Sequence, residues 1–352
     1  MPQPAPNRRR RVAVLGLGGT IAMTATSGDG GVVPELSAEQ LLAAIPGLAD
    51  TGITVDALDV RRLPGAWLSF DDLDTVRAIV QERLTDDVDG VVIVQGTDTI
   101  EETSYLLDLT HDRSEPVVVT GAMRNPNQAG ADGPANLLAA VATAGHAQAR
   151  NLGVLVVLAD EIHAARRVRK THAISPAAFQ SSNGGPLGYV VEGQPHLLSG
   201  LDHRTVIPAP CAATPRPRVG LYTVVYGDDG ETLPRPDAGL DGLVVAGFGA
   251  GHVPGHLVAP LARLAADIPV VLASRTGAGP GLAATYAFPG SESDLLACGL
   301  IRAGFLDPYK ARILLHTLLT ISDRETITAA FAVAGGYADP ITWPWPTPQS
   351  AR

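Results

Sequence analysis

Short apolar, often β-branched runs recur along the chain, at Val12–Leu17, Gly90–Gln95, Pro116–Gly121, Leu152–Leu158, Val219–Tyr226, Gly242–Gly247 and Pro269–Ala273. Most are closed by Gly or a polar residue. Unbroken apolar runs of this length suit strands buried on both faces of a parallel sheet. Between them the apolar period lengthens to that of a helix. Ser37 precedes Gln40 by three positions, a capping-box spacing, and Leu41, Leu42 and Ile45 supply an apolar face. Ser69 opens a second helix in which Leu73, Val76, Val80 and Leu84 recur at helical spacing. Pro134 after Asp132 and Pro308 after Asp307 read as first helical residues. Strands alternating with helices predict an α/β fold with right-handed crossovers.

The segment Gln194–Arg218 breaks this rhythm with Pro195, Pro208, Pro210, Pro215 and Pro217. It predicts a larger N-terminal domain over 1–195 with a mostly parallel sheet flanked by helices. A linker over 196–217 and a smaller C-terminal α/β domain over 218–352, also with a parallel sheet, follow. A length of 352 residues agrees with two cores rather than one.

With 45% hydrophobic residues the chain has enough apolar surface to fold throughout. A formal charge of −10 argues against nucleic acid or an anionic membrane as partner. The basic run Arg8–Arg11 reads as a solvated tail. Cys211 and Cys298 form neither a disulfide framework nor a CxxC pair and suit a reducing compartment. The apolar stretch after Arg11 is broken by Gly-Gly-Thr and lacks a cleavage site, unlike a signal peptide. No run of 18 apolar residues occurs, so a cytoplasmic protein without membrane spans is expected.

Two words carry candidate chemistry, GLGGTIA (16–22) and QGTDTIEET (95–103). Each runs from a strand into a tight turn that presents a threonine. Ligands of open parallel sheets bind at the carboxyl ends of strands, where Thr20, Thr97 and Asp98 fall. Thr99 and Glu102 have the spacing of a capping box, which would start a helix just after Asp98 and aim backbone N–H groups at a developing anion. Each word alone could be an ordinary strand-to-helix turn. The dinucleotide fingerprint, the P-loop and the nucleophile elbow are all missing. His252 and His256 are separated by Pro254 and Gly255, which argues against a helical zinc pair. A threonine hydroxyl needs a base to become a nucleophile, and lysine can serve when desolvated. Lys170 is one of only two lysines, with Lys310. From composition alone the simpler expectation is a solvated Lys170.

Together these words resemble the bacterial-type L-asparaginase and glutaminase–asparaginase family. The resemblance extends through PVVVTGAMR (116–124), ADGPANL (131–137), RKT (169–171), GPLGYV (185–190), GAGHV (249–253) and SRTGAGP (274–280), nearly the whole chain. It implies a threonine-dependent double displacement that converts L-asparagine to L-aspartate and ammonia, with at most a weak glutaminase activity. The implied catalytic residues are Thr20, Thr97, Asp98 and Lys170, and the implied substrate contacts are Gly65, Ala66, Gly96, Thr97, Asp98 and Ala122. Asp98 would hold the substrate's α-ammonium, orient Lys170, or both. The residues leave open which threonine carries the acyl group, with Thr20 preferred. No metal or cofactor is implied. A homodimer or homotetramer is, with domains of two subunits building each site. Residues 23–33, small and Gly-rich, would form a lid over the substrate.

Several positions depart from the family's pattern. No tyrosine precedes Tyr105, although the family's lid usually carries one. Gly65 stands for a substrate-binding serine, Gln95 for a common histidine, Ala250 for an asparagine, and Tyr286 near a glutamate. These losses motivate an alternative, a catalytically weak amino-acid-binding or regulatory homologue of the fold. The amide-transferring tRNA amidotransferase subunit would need an extra N-terminal domain. A self-cleaving N-terminal-threonine hydrolase would lose core strands on cleavage.

Overall fold

The computed structural model describes residues 9–25, 32–34, 36–209 and 215–346. The chain divides into two compact units that part between Arg204 and Thr205. The first begins with β1 (Arg11–Gly16), β2 (Met23–Ala25), β3 (Val32–Pro34), α1 (Ala38–Ala43), β4 (Thr54–Asp59), α2 (Phe70–Thr85), β5 (Gly90–Val94) and α3 (Ile100–Thr110). It continues with β6 (Val117–Thr120), α4 (Gly133–Ala144), β7 (Val154–Leu158), β8 (Glu161–Ala164), β9 (Arg169–Lys170), β10 (Phe179–Gln180), β11 (Gly188–Val191) and β12 (Gln194–Leu197).

Eight of these strands form one sheet in the order β12-β11-β8-β7-β6-β5-β1-β4. From β4 to β7 the pairing is parallel; β8, β11 and β12 add an antiparallel end. The apolar runs are buried on both faces, and alternate residues enter different cores. Val12, Val14, Val92 and Val94 join α4 residues on one face, while Ala13, Leu15, Val91 and Ile93 meet Val76 and Val80 of α2 on the other. Each of the valine, leucine and isoleucine side chains contributes about 1.5–3 kcal/mol by burial. The parallel part, read as β4-β1-β5-β6-β7, reverses direction between β1 and β5. That reversal is where an open α/β sheet leaves a crevice at its strand ends.

Ser37 and Ser69 both form the capping boxes that their spacing predicts, with Gln40 and Asp72. Thr99 does not. It is the N-cap of α3 but makes no capping bond; its hydroxyl accepts from Gln95 Nε2 at 3.2 Å and donates to Gly65 O at 3.0 Å. Pro134 is the second residue of α4, after Gly133, and Pro308 is the first of α7 (below). Arg11 belongs to no solvated tail. It starts β1 and pairs with Asp56 at 2.9 Å. The expected linker 196–217 begins within β12, and its residues 210–214, with Cys211, lie outside the described residues. The same holds for residues 26–31 of the expected lid, whose flanks pair antiparallel as β2 and β3.

The second unit holds β13 (Val219–Thr223), β14 (Gly242–Gly247), α5 (Val258–Asp267), β15 (Val270–Ser274), α6 (Glu292–Ala297), β16 (Ile301–Arg302), α7 (Pro308–Leu318) and α8 (Arg324–Ala334). Its four strands form one parallel sheet in sequence order. Among the described residues no helix is long and apolar enough to cross a membrane.

One buried histidine couples the first unit's stability to pH. His163 of β8 has a fully buried side chain, with Nδ1 3.0 Å from Ser181 Oγ. Burial pushes its pKa down to about 4. Between about pH 6.5 and 4 the unfolded chain therefore takes up a proton that the folded chain refuses. Stability is then full above about pH 6.5 and falls as pH drops, by up to about 1.4 kcal/mol per pH unit from this group. The neighbouring Glu161, its pKa raised by burial, acts in the opposite sense. Comparing wild type with His163→Gln in urea titrations at pH 7 and pH 5 isolates the imidazole, and the variant is expected to lose less stability on acidification. Equal losses would contradict this.

Candidate active site

The site is assembled by turns at the ends of β1 and β5. The ladder between them continues past β1, with Leu17 N donating to Val94 O at 2.8 Å. Gly18 and Gly19 then turn with φ of 97° and 85° into a 3-10 turn, Thr20–Ala22. At the end of β5, Gly96 leads into a second 3-10 turn, Thr97–Thr99, that runs into α3. A third turn, Gly65–Trp67, follows β4. The three meet glycine against glycine. A Cβ on Gly19 would lie 2.1 Å from Gly96 N, and one on Gly65 would lie 2.8 Å from Gly96 O. Only hydrogen side chains let three backbones approach so closely. Thr20 and Thr97 each follow one of these contact points.

The third limb brings the lysine. Lys170 ends β9, which pairs with β10 through Phe179. Its ammonium donates to Thr97 Oγ1 and to Asp98 Oδ1, both at 2.9 Å. The Lys170 side chain is only 15% exposed, contrary to the solvated lysine that composition suggested, whereas Asp98 is 64% exposed. The backbone on either side of this half-buried lysine is anchored. Arg169 Nε comes within 3.5 Å of Glu101 Oε2 on α3, and Thr171 N donates to Ala178 O. The pairing of Arg169 with Glu101 was not anticipated; nothing in either residue's immediate sequence points across to the other.

The remaining expected contacts surround this centre. Gly65 is buried and Ala66 exposed, on a loop bracketed by Arg61 and Asp72, whose Nε and Oδ1 are 2.6 Å apart. The Ser69 hydroxyl first, then Arg61, draw the Asp72 pKa down to about 2. Ala122 is buried after β6. The backbone beyond it is fixed by Asp132, whose carboxylate accepts from Met123 N and Arg124 N at 3.0 and 2.8 Å. Gln95, noted only as a substitution, proves to be fully buried and donates to Thr99 Oγ1 at 3.2 Å.

In the second unit His252 is engaged with Glu292, at 3.0 Å from Oε2, and packs edge-on to Tyr286 with ring centres 4.8 Å apart. Burial alone would raise the Glu292 pKa, but the amides of Tyr286 and Thr285 and the His252 ring outweigh it and hold it below the ordinary value. Among the described residues no group of three or more His, Cys, Asp or Glu could hold a metal ion.

An arrangement of two threonines at a sheet's switch point, one hydrogen-bonded to a lysine beside a carboxylate and a helix start, is equipped for acyl transfer. Comparison with known proteins agrees with this chemistry. The family description "Asparaginase, N-terminal" matches residues 11–202, and "Glutaminase/Asparaginase C-terminal domain" matches 218–331. A probable L-asparaginase of Deinococcus radiodurans is 35% identical over 326 residues, 91% of this chain and 97% of its own. L-asparaginase 2 of Escherichia coli is 36% identical, over 88% of each chain. The glutaminase-asparaginase of Pseudomonas aeruginosa is 32% identical over 88% of this chain and 86% of its own. The crystal structure of a probable cytoplasmic L-asparaginase from Campylobacter jejuni superposes with a TM-score of 0.81 at 32% identity, covering 92% of this chain and 99% of that one.

Proposed function

This chain belongs to the asparaginase family, and on that premise we propose that it is an amidohydrolase converting L-asparagine to L-aspartate and ammonia. The observation that carries the proposal is Lys170 Nζ held 2.9 Å from both Thr97 Oγ1 and Asp98 Oδ1, at the meeting point of the three glycine turns.

Thr20 carries the acyl group in this reading, with Thr97, hydrogen-bonded to Lys170, as its proton relay. The Thr20 oxygen adds to the side-chain carbonyl carbon of the substrate while its proton passes along Thr97 to Lys170 Nζ. N–H groups of the turns at Thr20 and Thr97 receive the oxyanion. Collapse breaks the C–N bond as the proton held by Lys170 is passed to the leaving nitrogen, and ammonia departs. Water then adds to the ester, Thr20 recovers its proton, and L-aspartate leaves. The N–H end of the turn Gly65–Trp67 takes the α-carboxylate. Gly96 and Ala122 line the pocket. The working form is a homodimer or homotetramer in the cytoplasm, in keeping with the Campylobacter jejuni relative's description as cytoplasmic. Ammonia release measured across asparagine, glutamine and D-asparagine tests the assignment. Asparagine is expected to be turned over fastest, and silence toward all three would end the proposal.

Asp98 has one carboxylate oxygen engaged by Lys170 and a side chain open to solvent, which suits it to receive the substrate's α-ammonium. A charge-assisted hydrogen bond is worth roughly 1.5–3 kcal/mol, or on the order of 10- to 150-fold. Wild type is therefore expected to prefer asparagine strongly over succinamate, the same amide without the amino group. Asp98→Asn should shrink that preference in kcat/KM as well as the rate. An unchanged preference would place the ammonium elsewhere.

A further inference from the structure

The hydroxyl of Thr99 stands between two buried groups, and its direction can be deduced. Gln95 Nε2 lies 3.3 Å from Gly96 O and 3.2 Å from Thr99 Oγ1. A carbonyl oxygen can only accept, so the amide nitrogen must be the atom that faces Gly96 O. That same nitrogen then donates to Thr99 Oγ1. The single Thr99 proton is left for Gly65 O, at 3.0 Å. Gly65 O also accepts from Leu68 N at 3.3 Å, so both of its lone pairs are filled and the turn Gly65–Trp67 cannot rotate its first peptide outward without breaking both bonds.

The amide comes at a cost. Gln95 is fully buried, and its Oε1 has no hydrogen-bond partner among the described residues. An apolar side chain of similar length would avoid that penalty. The fold therefore gains little from glutamine here, whereas the direction of the relay depends on it.

We propose that Gln95 and Thr99 are positioning residues that set the enzyme's discrimination for the α-carboxylate of its substrate, by locking Gly65 O inward. This rests on the reading of Gly65–Trp67 as the carboxylate-binding turn. With a glycine at position 65, and with Ala66 and Trp67 exposed, the turn has no buried side chain of its own to hold it, and the relay from the end of β5 supplies the constraint.

The test compares asparagine with 3-aminopropanamide, the same amide lacking the α-carboxylate, in wild type, Thr99→Val, Thr99→Ser, Gln95→Met and the double variant Gln95→Met/Thr99→Val. Thr99→Val is expected to raise KM for asparagine about tenfold, with kcat changed by less than about threefold, and to narrow the preference for asparagine by a similar factor. Thr99→Ser keeps the hydroxyl and should restore wild-type discrimination. Gln95→Met leaves Thr99 unaimed and should give a smaller rise of about threefold, with a melting temperature no lower than wild type. The double variant should match Thr99→Val, because both act through one bond to Gly65 O. A Thr99→Val enzyme that keeps its full preference, or one that loses kcat and melting temperature in parallel on both amides, overturns the relay. A wild type that hydrolyses neither amide would instead overturn the amidohydrolase reading.

Discussion

Lys170→Met is expected to lower kcat for asparagine roughly a thousandfold, within the range by which a positioned acid–base group accelerates reactions. Methionine preserves the length of the stem and its packing but removes the nitrogen that lies 2.9 Å from Thr97 Oγ1. Thr97→Val removes the other end of the same bond and should have an effect of similar size. The double variant should be little worse than either, because the two groups act as a unit. Thermal stability should move only slightly. The partner carboxylate of Asp98 is largely in solvent, and an ion pair so exposed contributes little to folding. Near-normal turnover in either single variant, with an unchanged melting curve, would remove Lys170 and Thr97 from the chemistry.

Gly19→Ala should be more disruptive than either, although it alters no reacting group. Gly19 has φ of 85° and ψ of −175°, a region open essentially to glycine alone and costing on the order of 1–3 kcal/mol for other residues. The added methyl would also sit 2.1 Å from Gly96 N, so one backbone must move. Overpacking of this kind typically costs a further 1–3 kcal/mol. The displaced segments carry Thr20 and Thr97, so activity should fall to background even in protein that remains folded. Measuring urea midpoints alongside ammonia release separates the two effects. Gly52→Ala provides the control. Gly52 has φ of 67°, but no atom lies within 4 Å of where a Cβ would be placed, so that variant should lose about 1 kcal/mol and keep its activity. Full activity in Gly19→Ala would mean that the glycine contact does not hold the site together.

The parallel strands were legible because each is buried on both faces and so reads as an unbroken apolar run. β4 was not. It lies at the end of the sheet, half-exposed, and Asp56 and Asp59 interrupt its apolar pattern. The antiparallel end was hidden for a different reason. β7 and β8 are joined by Ala159 and Asp160, both left-handed at φ of 50° and 61°, where Asn-Gly is the usual signature of such a turn. Ala159 is held there by Asn136, whose Oδ1 accepts its N–H at 2.9 Å, a tertiary contact with no local sequence mark. In the site, Thr97 and Asp98 could be placed from strand and turn alone. The half-buried setting of Lys170 could not, since β9 pairs with β10 and its Arg169 reaches Glu101 of α3. Thr99 misled in the other direction. Its spacing to Glu102 fits a capping box, but a buried carbonyl from a distant turn claims its hydroxyl.

The two outermost strands of the large sheet carry opposite kinds of obstruction. At one end β4 bears Asp56 and Asp59, tied to Arg11 and Arg62. At the other, Pro195 interrupts the donor row of β12. Charged side chains and proline are both poor templates for another chain's backbone. Recruitment of a further strand, whether in a crowded cell or during refolding at high concentration, is thus disfavoured at either margin. At this sheet, association of copies is steered toward side-chain surfaces rather than strand addition. A protein that is to work as a defined oligomer benefits from that restriction, since strand addition has no natural end point and would compete with closed assembly.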